Sequence, residues 1–256
     1  MFMTYCEFSK TNPLHQHYHD REYGFPVSSD DVLLERLALE INQAGLSWDL
    51  MLKKRAGFNR AFANFKVEKV ARFGKRDVER LLKDESIVRN RLKIEAVIHN
   101  AKIIFDLQKV HGSFVSWLAL QAKDSKDETD WVKLFKKQGF KFVGGEIMKE
   151  FLQSVGHLPI PHDKTCPVTK EIFKAKVLAV VKAIPKGQTM TYGEVAKAAG
   201  LPKAARAVGA LMKQNKDKRI PCHRVVARFG LGGYNGLRGS SKEQLLLQEN
   251  RAVALK

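Results

Sequence analysis

The sequence predicts a mainly α-helical protein in two domains, and three observations lead there. Between Asp30 and Gly156 apolar residues recur at helical spacing in one short segment after another, while strand-like alternation is scarce. Residues 157–167 are proline-rich and aperiodic, which places a boundary that divides the 256 residues into domains of ordinary size, 1–166 and 167–256. Beyond it the pattern becomes helix, glycine-containing turn, second helix and then a glycine-dense loop.

Taken in order, the opening stretch carries Cys6, Pro13-Leu14 and a polar cluster from His15 to Asp20. Asp30-Asp31 opens a helix whose apolar positions are Val32, Leu33, Leu37 and Leu39, and paired acids suit a helix N-terminus. Glu40 falls late in that helix, ahead of Gln43-Ala44-Gly45-Leu46-Ser47-Trp48. Further helical segments are marked by Val78, Leu81 and Leu82, by Ile94, Val97, Ile98, Ala101, Ile104 and Phe105, and by residues 131–135 and 147–155. Residues 123–130 read as a charged, turn-rich loop. In the second domain 171–184 form a helix closed by Pro185-Lys186-Gly187. Thr191 and Glu194 make a capping box for the next helix, which ends at Gly200. Leu201-Pro202 then turns the chain into a helix over 203–213, which completes a helix-turn-helix pattern. Residues 225–228 are a short strand, Gly230, Gly232, Gly233 and Gly236 a tight loop, and Ser240 or Ser241 caps a last helix that carries Glu249.

The formal charge of +18 points to a polyanionic partner, because lysines and arginines that neutralise phosphates release counterions. No apolar run is long enough to cross a bilayer, and the first residues lack the pattern of a signal peptide. Three cysteines, an odd number, argue against a disulfide framework and for a reducing, cytoplasmic compartment. Repeats and low-complexity segments are absent.

Cys222 stands against His223 in Ile220-Pro221-Cys222-His223-Arg224-Val225-Val226. By itself the pair is either a nucleophile with its base or a buried cysteine beside a surface histidine. Its surroundings are Thr191-Tyr192-Gly193-Glu194-Val195-Ala196, Ala204-Ala205-Arg206-Ala207-Val208-Gly209, Gly232-Gly233-Tyr234-Asn235-Gly236 and Leu245-Leu246-Leu247-Gln248-Glu249. In this order they resemble the active domain of O6-alkylguanine-DNA alkyltransferases over residues 167–251. The resemblance implies that Cys222 accepts an alkyl group irreversibly, that His223 activates it through a water, and that Glu249 orients His223. It implies that Tyr192 protonates or holds the leaving guanine, that Arg206 fills the gap left by the flipped base, and that Asn215 buttresses the active-site turn. Tyr234 and Asn235 would line the base pocket, and Lys203 would join Arg206 in contacting DNA. For Arg206 a plain phosphate contact and for Glu249 a surface position stay open. The sequence departs from the family pattern at Gln244, at Gln248 and in Tyr234-Asn235-Gly236-Leu237.

In the first domain Cys6, His19, His162 and Cys166 are candidate metal ligands, with His15, His17 and His157 equally available. The segments Pro13-Leu14-x-x-x-Tyr18-His19-Asp20-x-Glu22-Tyr23-Gly24, Leu39-Glu40-x-x-Gln43-Ala44-Gly45-Leu46-Ser47-Trp48, Asn90-Arg91-x-Lys93-Ile94 and Gly139-Phe140-Lys141-Phe142-Val143-Gly144 resemble the bacterial 3-methyladenine DNA glycosylase I family over Cys6 to Cys166. That resemblance implies a helix-hairpin-helix glycosylase whose ends are clasped by one structural zinc on Cys6, His19, His162 and Cys166. Glu40 would be the base-reading carboxylate, with Tyr18 and Trp48 as the aromatic walls of the pocket. Gly144 and Gly145 would offer backbone N–H groups to phosphate, a plain helix-start turn being the alternative. Phe8 and His15 depart from the Trp and Tyr that the family often has there.

The two resemblances together lead to the expectation of a monomeric, bifunctional repair protein. It would hydrolyse 3-methyladenine from double-stranded DNA and take O6-alkyl groups onto Cys222, with zinc and no nucleotide or organic cofactor, away from membranes. The alternative is a glycosylase joined to a non-catalytic, damage-sensing helix-turn-helix domain.

Overall fold

The computed structural model describes residues 3–122, 127–159, 162–163, 165–234, 237–238 and 240–254, and of 234, 237–238, 240 and 251–254 it describes the backbone only. The chain divides into two compact units, Met1–Lys164 and Thr165–Lys256. Among the described residues no helix is long and apolar enough to cross a membrane.

The first unit is helical throughout: α1 Tyr5–Thr11, α2 Pro13–Arg21, α3 Asp30–Gln43, α4 Trp48–Ala61, α5 Val67–Ala71, α6 Lys75–Lys83, α7 Arg91–His111, α8 Phe114–Gln121, α9 Glu128–Lys137 and α10 Gly145–Ser154. The polar N-terminal stretch had no apolar periodicity, yet it forms two helices, because caps rather than a hydrophobic stripe define them. Thr4 and Glu7 close a capping box on α1, and Asn12 caps α2 with Pro13 at its first position. Ser47, Asn90, Ser113 and Asp127 accept the first free N–H groups of α4, α7, α8 and α9. The charged loop expected over 123–130 is shorter than that, since α9 starts at Glu128; residues 123–126 lie outside the described residues.

α3 lies inside the unit, packed against α4, α7, α8 and α10. Every residue over 33–42 is buried, including Glu35, Arg36, Glu40 and Asn42. Leu37, Ala38 and Ile41 join Phe58, Phe62, Ile94, Ala101, Trp117 and Phe135 in one apolar core. Each large side chain so buried contributes roughly 1.5–3 kcal/mol. The ends of α3 are held by side chains of other elements. Asp30 accepts from Gln108 and from the backbone N–H groups of Phe114 and Val115. Lys93, itself buried, donates to the carbonyls of Asn42 and Ala44 at 2.9 and 2.6 Å, which satisfies the C-terminal end.

The segment 139–144 leads into α10 and is clamped to α7. Asn100 donates to Lys141 O at 2.9 Å and accepts from Lys141 N at 2.8 Å, while His99 Nε2 lies 2.9 Å from Gly139 O. Phe142 has a left-handed φ of 55°, a conformation that costs a non-glycine residue about 1–2 kcal/mol.

The second unit consists of α11 Val168–Ala183, β1 Met190–Thr191, α12 Tyr192–Ala198, α13 Ala205–Gln214, β2 Val225–Val226, β3 Gly233–Tyr234, β4 Leu237–Arg238 and α14 Ser240–Ala254. β1 pairs with β2 in parallel, Met190 opposite Val225, and β3 with β4 antiparallel, Gly233 opposite Arg238. The capping box of Thr191 and Glu194 is formed on α12. α11 starts three residues earlier than expected, and α13 two residues later, which leaves Lys203 in the turn before α13. The strand expected over 225–228 is only two residues long, because β1 offers just two partners. The core comprises Val177, Val181, Val195, Val208, Met212 and Val225, and Cys222 belongs to it.

Asn100→Ala removes both bonds to Lys141 and is expected to lower the stability of the first unit by about 1–3 kcal/mol. Urea unfolding followed by tryptophan fluorescence measures this.

Candidate functional sites

In the first unit Glu40 is 4% exposed, and among the described residues nothing donates a hydrogen bond to its carboxyl. Its pKa is pushed up to about 8, first by burial and then by the negative charge of Glu150, against the opposing Arg36. Tyr18, Tyr23 and Leu52 form a small buried cluster beside it, with Tyr5 and Trp48 packed on its edge. The acidity of Tyr5, Tyr18 and Tyr23 is suppressed by burial and, more weakly, by Glu40. Tyr18 and Trp48 touch, with ring centroids 5.0 Å apart and planes at 54°. At that separation no planar ring fits between them, since two walls around one would stand about 7 Å apart, twice an aromatic contact distance. Trp48 is only partly buried, is the first residue of α4, and follows the exposed Gly45 and Leu46. Its Nε1 is buried without a hydrogen-bond partner.

Arg36, which the sequence reading passed over, lies over the Tyr18 ring at 4.9 Å and pairs with Glu22. Arg55 bonds Glu22 at 2.9 Å and Glu35 at 2.8 Å. At the two departures from the family pattern, Phe8 packs edge-on to His15 with centroids 4.9 Å apart. His15 is buried, with Nδ1 3.3 Å from the Tyr5 hydroxyl and Nε2 3.5 Å from Asp49 Oδ1.

Cys6, His19, His162 and Cys166 bring one ligand atom each within 4.8 Å of one another. The structure thus selects among the histidines: His15 faces Tyr5 and Asp49, exposed His17 stands 3.5 Å from Glu22, and His157 packs on Trp131. His19 Nδ1 is 2.7 Å from Asp20 Oδ1, which orients the ring. Cys6 Sγ is 3.5 Å from His162 Nδ1, whereas His162 Nε2 is buried with no hydrogen-bond partner. Two thiols, two imidazoles and an orphaned ring nitrogen fit a tetrahedral cation such as zinc. Gly144 is the N-cap of α10 and Gly145 its first residue, both exposed at the end of the segment clamped by Asn100. A side chain at Gly145 would stand 3.0 Å from Glu128.

In the second unit Cys222 is 5% exposed and is a free thiol. Its Sγ accepts from Asn215 Nδ2 at 3.2 Å, and the same amide bonds the backbone of Asp217, so Asn215 ties the turn to the sulfur. Burial pushes the thiol pKa up; the Asn215 bond and the charge of Lys242 pull it down. His223 Nε2 lies 3.0 Å from Glu249 Oε1. Glu249 also accepts from Arg224 Nε at 2.9 Å and Nη2 at 2.6 Å, and Arg224 reaches Ile184 O at 2.6 Å. Arg224, and after it His223, hold the Glu249 carboxyl down to about 2. Arg224 is thus a supporting residue that the sequence reading missed, although it lies inside the Pro-Cys-His-Arg motif itself. Gln244 and Gln248 are exposed on α14. The anchoring of Glu249 therefore does not rely on them.

An open cleft of about 770 Å³ is lined by Tyr192, Arg206, Gly209, Ala227 and Arg228 among others. The Tyr192 hydroxyl donates to Gly233 O at 3.1 Å. Gly232, with φ +69°, fits where a side chain would stand 3.2 Å from Tyr192 and 3.3 Å from Ala227. Lys203 is exposed in the preceding turn. Tyr234 lies in β3, and Asn235 falls outside the described residues. A second missed residue is Lys242, 0% exposed, whose Nζ donates to the carbonyls of Val225, Leu231 and Gly233 and lies 5.7 Å from the Tyr192 ring centroid. Burial lowers its pKa to about 8. No spacing rule would single out one lysine on an outwardly ordinary helix.

These sites define the class of protein. Residues 8–169 match the methyladenine glycosylase family, and residues 172–251 match the 6-O-methylguanine DNA methyltransferase, DNA binding domain. The chain therefore belongs to the methyladenine glycosylase family, with the methyltransferase DNA-binding domain following. It is 36% identical over 170 residues to DNA-3-methyladenine glycosylase 1 of Escherichia coli K12, which covers 60% of this chain and 91% of that one. The solved structure of 3-methyladenine DNA glycosylase I from Staphylococcus aureus superposes with a TM-score of 0.59 at 33% identity, covering 65% of this chain and 96% of that one. The methylated-DNA–protein-cysteine methyltransferase of Methanocaldococcus jannaschii is 46% identical over 80 residues, 31% of this chain; the match spans only 46% of that relative.

Since Lys242 lowers the Cys222 pKa, Lys242→Met should shift the pH midpoint of Cys222 alkylation by iodoacetamide upward. Rates measured across pH on wild type and variant check this.

Proposed function

We propose that the chain repairs alkylated double-stranded DNA in two ways: residues 1–166 excise 3-methyladenine by hydrolysis, and residues 167–256 transfer the O6-alkyl group of guanine to Cys222. The reading is supported above all by the buried Glu40 beside Tyr18 and Trp48 in one unit and by Cys222, Asn215, His223 and Glu249 together in the other.

In the excision site 3-methyladenine, cationic while in DNA, would stack on Tyr18 once Trp48 has swung aside. The Glu40 carboxylate then accepts from its exocyclic amino group and balances its charge. The N9–C1′ bond breaks with its electron pair passing to the base, which leaves neutral; water adds to the oxocarbenium-like C1′ and loses a proton. The cationic base is already a good leaving group, so no strong general acid is needed. Because the carboxylate form acts and Glu40 titrates near 8, excision rises with pH through about 8. Glu40→Gln is expected to reduce excision at least about 10²-fold. The same variant should melt at a higher temperature than wild type above pH 8: the folded-state pKa of Glu40 is raised, so its ionisation removes stability as pH rises. Release of free 3-methyladenine from methylated duplex and thermal melts at two pH values measure both effects.

Cys6, His19, His162 and Cys166 would hold one structural zinc, which adds stability and takes no part in the chemistry. One zinc per chain by elemental analysis, lost in Cys6→Ser together with a lower melting temperature, is the expected result. Gly144 and Gly145 would present N–H groups to a DNA phosphate, as the hairpin of a helix-hairpin-helix.

In the transfer site α12 and α13 would dock on DNA as a helix-turn-helix. Arg206 fills the space of the flipped guanine, Lys203 contacts phosphate, and Tyr234 and Asn235 line the base pocket. His223 takes the Cys222 proton through a water, held in orientation by Glu249. The Cys222 Sγ–C bond forms as the alkyl C–O6 bond breaks, and Tyr192 protonates the leaving guanine. The step is stoichiometric, so each molecule acts once. After incubation with duplex DNA carrying one O6-methylguanine, intact mass should rise by one methyl group on the Cys222 peptide, and Cys222→Ser should show no gain. An unchanged wild-type mass with DNA binding intact would leave the second domain as a damage-sensing module.

A further inference from the structure

The buried charges around Glu40 can be balanced one by one. Arg36 pairs with Glu22, and Arg55 pairs with Glu22 and Glu35, so two arginines meet two glutamates. On α10, Lys149 lies 3.6 Å from Glu146. Among the described residues Glu40 on α3 and the half-buried Glu150 on α10 form no ion pair, although Arg36 and Lys149 act on them from a distance. Glu150 accepts from the Tyr23 hydroxyl at 3.5 Å. The Tyr23 ring in turn contacts the Tyr18 ring, centroids 5.6 Å apart, and the Tyr5 ring at 5.8 Å.

We propose that Glu150 is a specificity-determining residue of the base pocket, held by Tyr23 at the edge of the rings around Glu40, where its negative charge favours cationic bases over neutral bases of the same shape. The inference rests on the excision reading of Glu40. A pocket edged by two acids whose nearby cations do not pair with them is a poor place for a neutral base and a good one for a cation, because little water is present to screen the field. It also helps the product to leave: once the N9–C1′ bond has broken the base is neutral, and the attraction that held it is gone. The groups facing Glu40 are Tyr5 from α1, Tyr18 from α2, Tyr23, Arg36 from α3 and Glu150 from α10. Those facing Glu150 are Glu146, Lys149 and Tyr23. Of the carboxylates among them, Glu150 is the one that raises the proton affinity of Glu40.

The test compares wild type, Glu150→Gln and Tyr23→Phe, all shown to be folded by circular dichroism. Two probes compete with methylated DNA above pH about 8: 3,9-dimethyladeninium, a cation with methyl in place of the sugar, and neutral 3-methyladenine. Glu150→Gln should weaken inhibition by the cation about three- to tenfold, one pKa unit being a tenfold factor, and leave inhibition by the neutral base unchanged. It should also move the rise of excision with pH to lower pH, because Glu40 then ionises more easily. Tyr23→Phe should shift both readouts the same way by less. An unchanged cation-to-neutral ratio and an unmoved pH limb in Glu150→Gln would overturn the proposal. Glu40→Gln separates the two readings. If it still excises, the excision reading itself falls; if it is silent while Glu150→Gln behaves as wild type, only the role of Glu150 falls.

Discussion

The structure of the first unit depends on a helix that is buried on all sides and still carries charge. An apolar stripe would have let α3 sit at a surface; burial of residues 33–42 instead places Glu35, Arg36, Glu40 and Asn42 out of water. An unpaired buried charge costs several kcal/mol, so neighbouring helices must supply partners. Glu22 and Arg55 do so for Arg36 and Glu35, while Lys93 and Asp30 hold the two ends. Among the described residues Glu40 is the charge of α3 left without an ion-pair partner, and burial raises its proton affinity.

The second unit meets the same constraint with the opposite sign. Lys242 is wholly buried and bonds three carbonyls, with no carboxylate paired to it among the described residues. It knots the glycine loop to β2 and brings a positive charge near Cys222 that partly offsets the rise in thiol pKa caused by burial. On the other side Arg224 fixes Glu249, and Glu249 fixes the imidazole. Cys222 and Glu249 thus each meet a cation more than a dozen residues away in sequence, whereas the charge that opposes burial at Glu40 is Arg36 on the same helix. The N-terminal cysteine and histidine cluster follows a related logic, since Asp20 presets the ring of His19 before any ion binds.

Caps and apolar spacing carried part of the secondary structure into view: the Thr191 and Glu194 box, Asp30 at the start of α3 and the segments of α6, α7, α9 and α10 are where the residues put them, whereas α4, α5 and α8 were not marked out. α1 and α2 were missed because they are polar, their stability coming from caps and from tertiary contact rather than from a stripe. β1 was out of reach for another reason, and so was the pairing that limits the expected strand at 225–228 to two residues. Two residues pairing with two others 35 positions later leave no periodic trace.

The sequence by itself determined the candidate groups and their local setting: which cysteine follows which proline, which carboxylate falls late in which helix, and which cysteines and histidines are on offer as ligands. Motif residues are encoded side by side, so they can be read side by side. Tertiary structure alone decided which histidines converge with Cys6 and Cys166, that Tyr18 and Trp48 touch, and that Glu150, Arg224 and Lys242 set the proton affinities of groups distant in the chain. The physical reason is that burial and charge act through space. Their strength depends on which side chains share a water-poor interior, and that is fixed only when the helices pack.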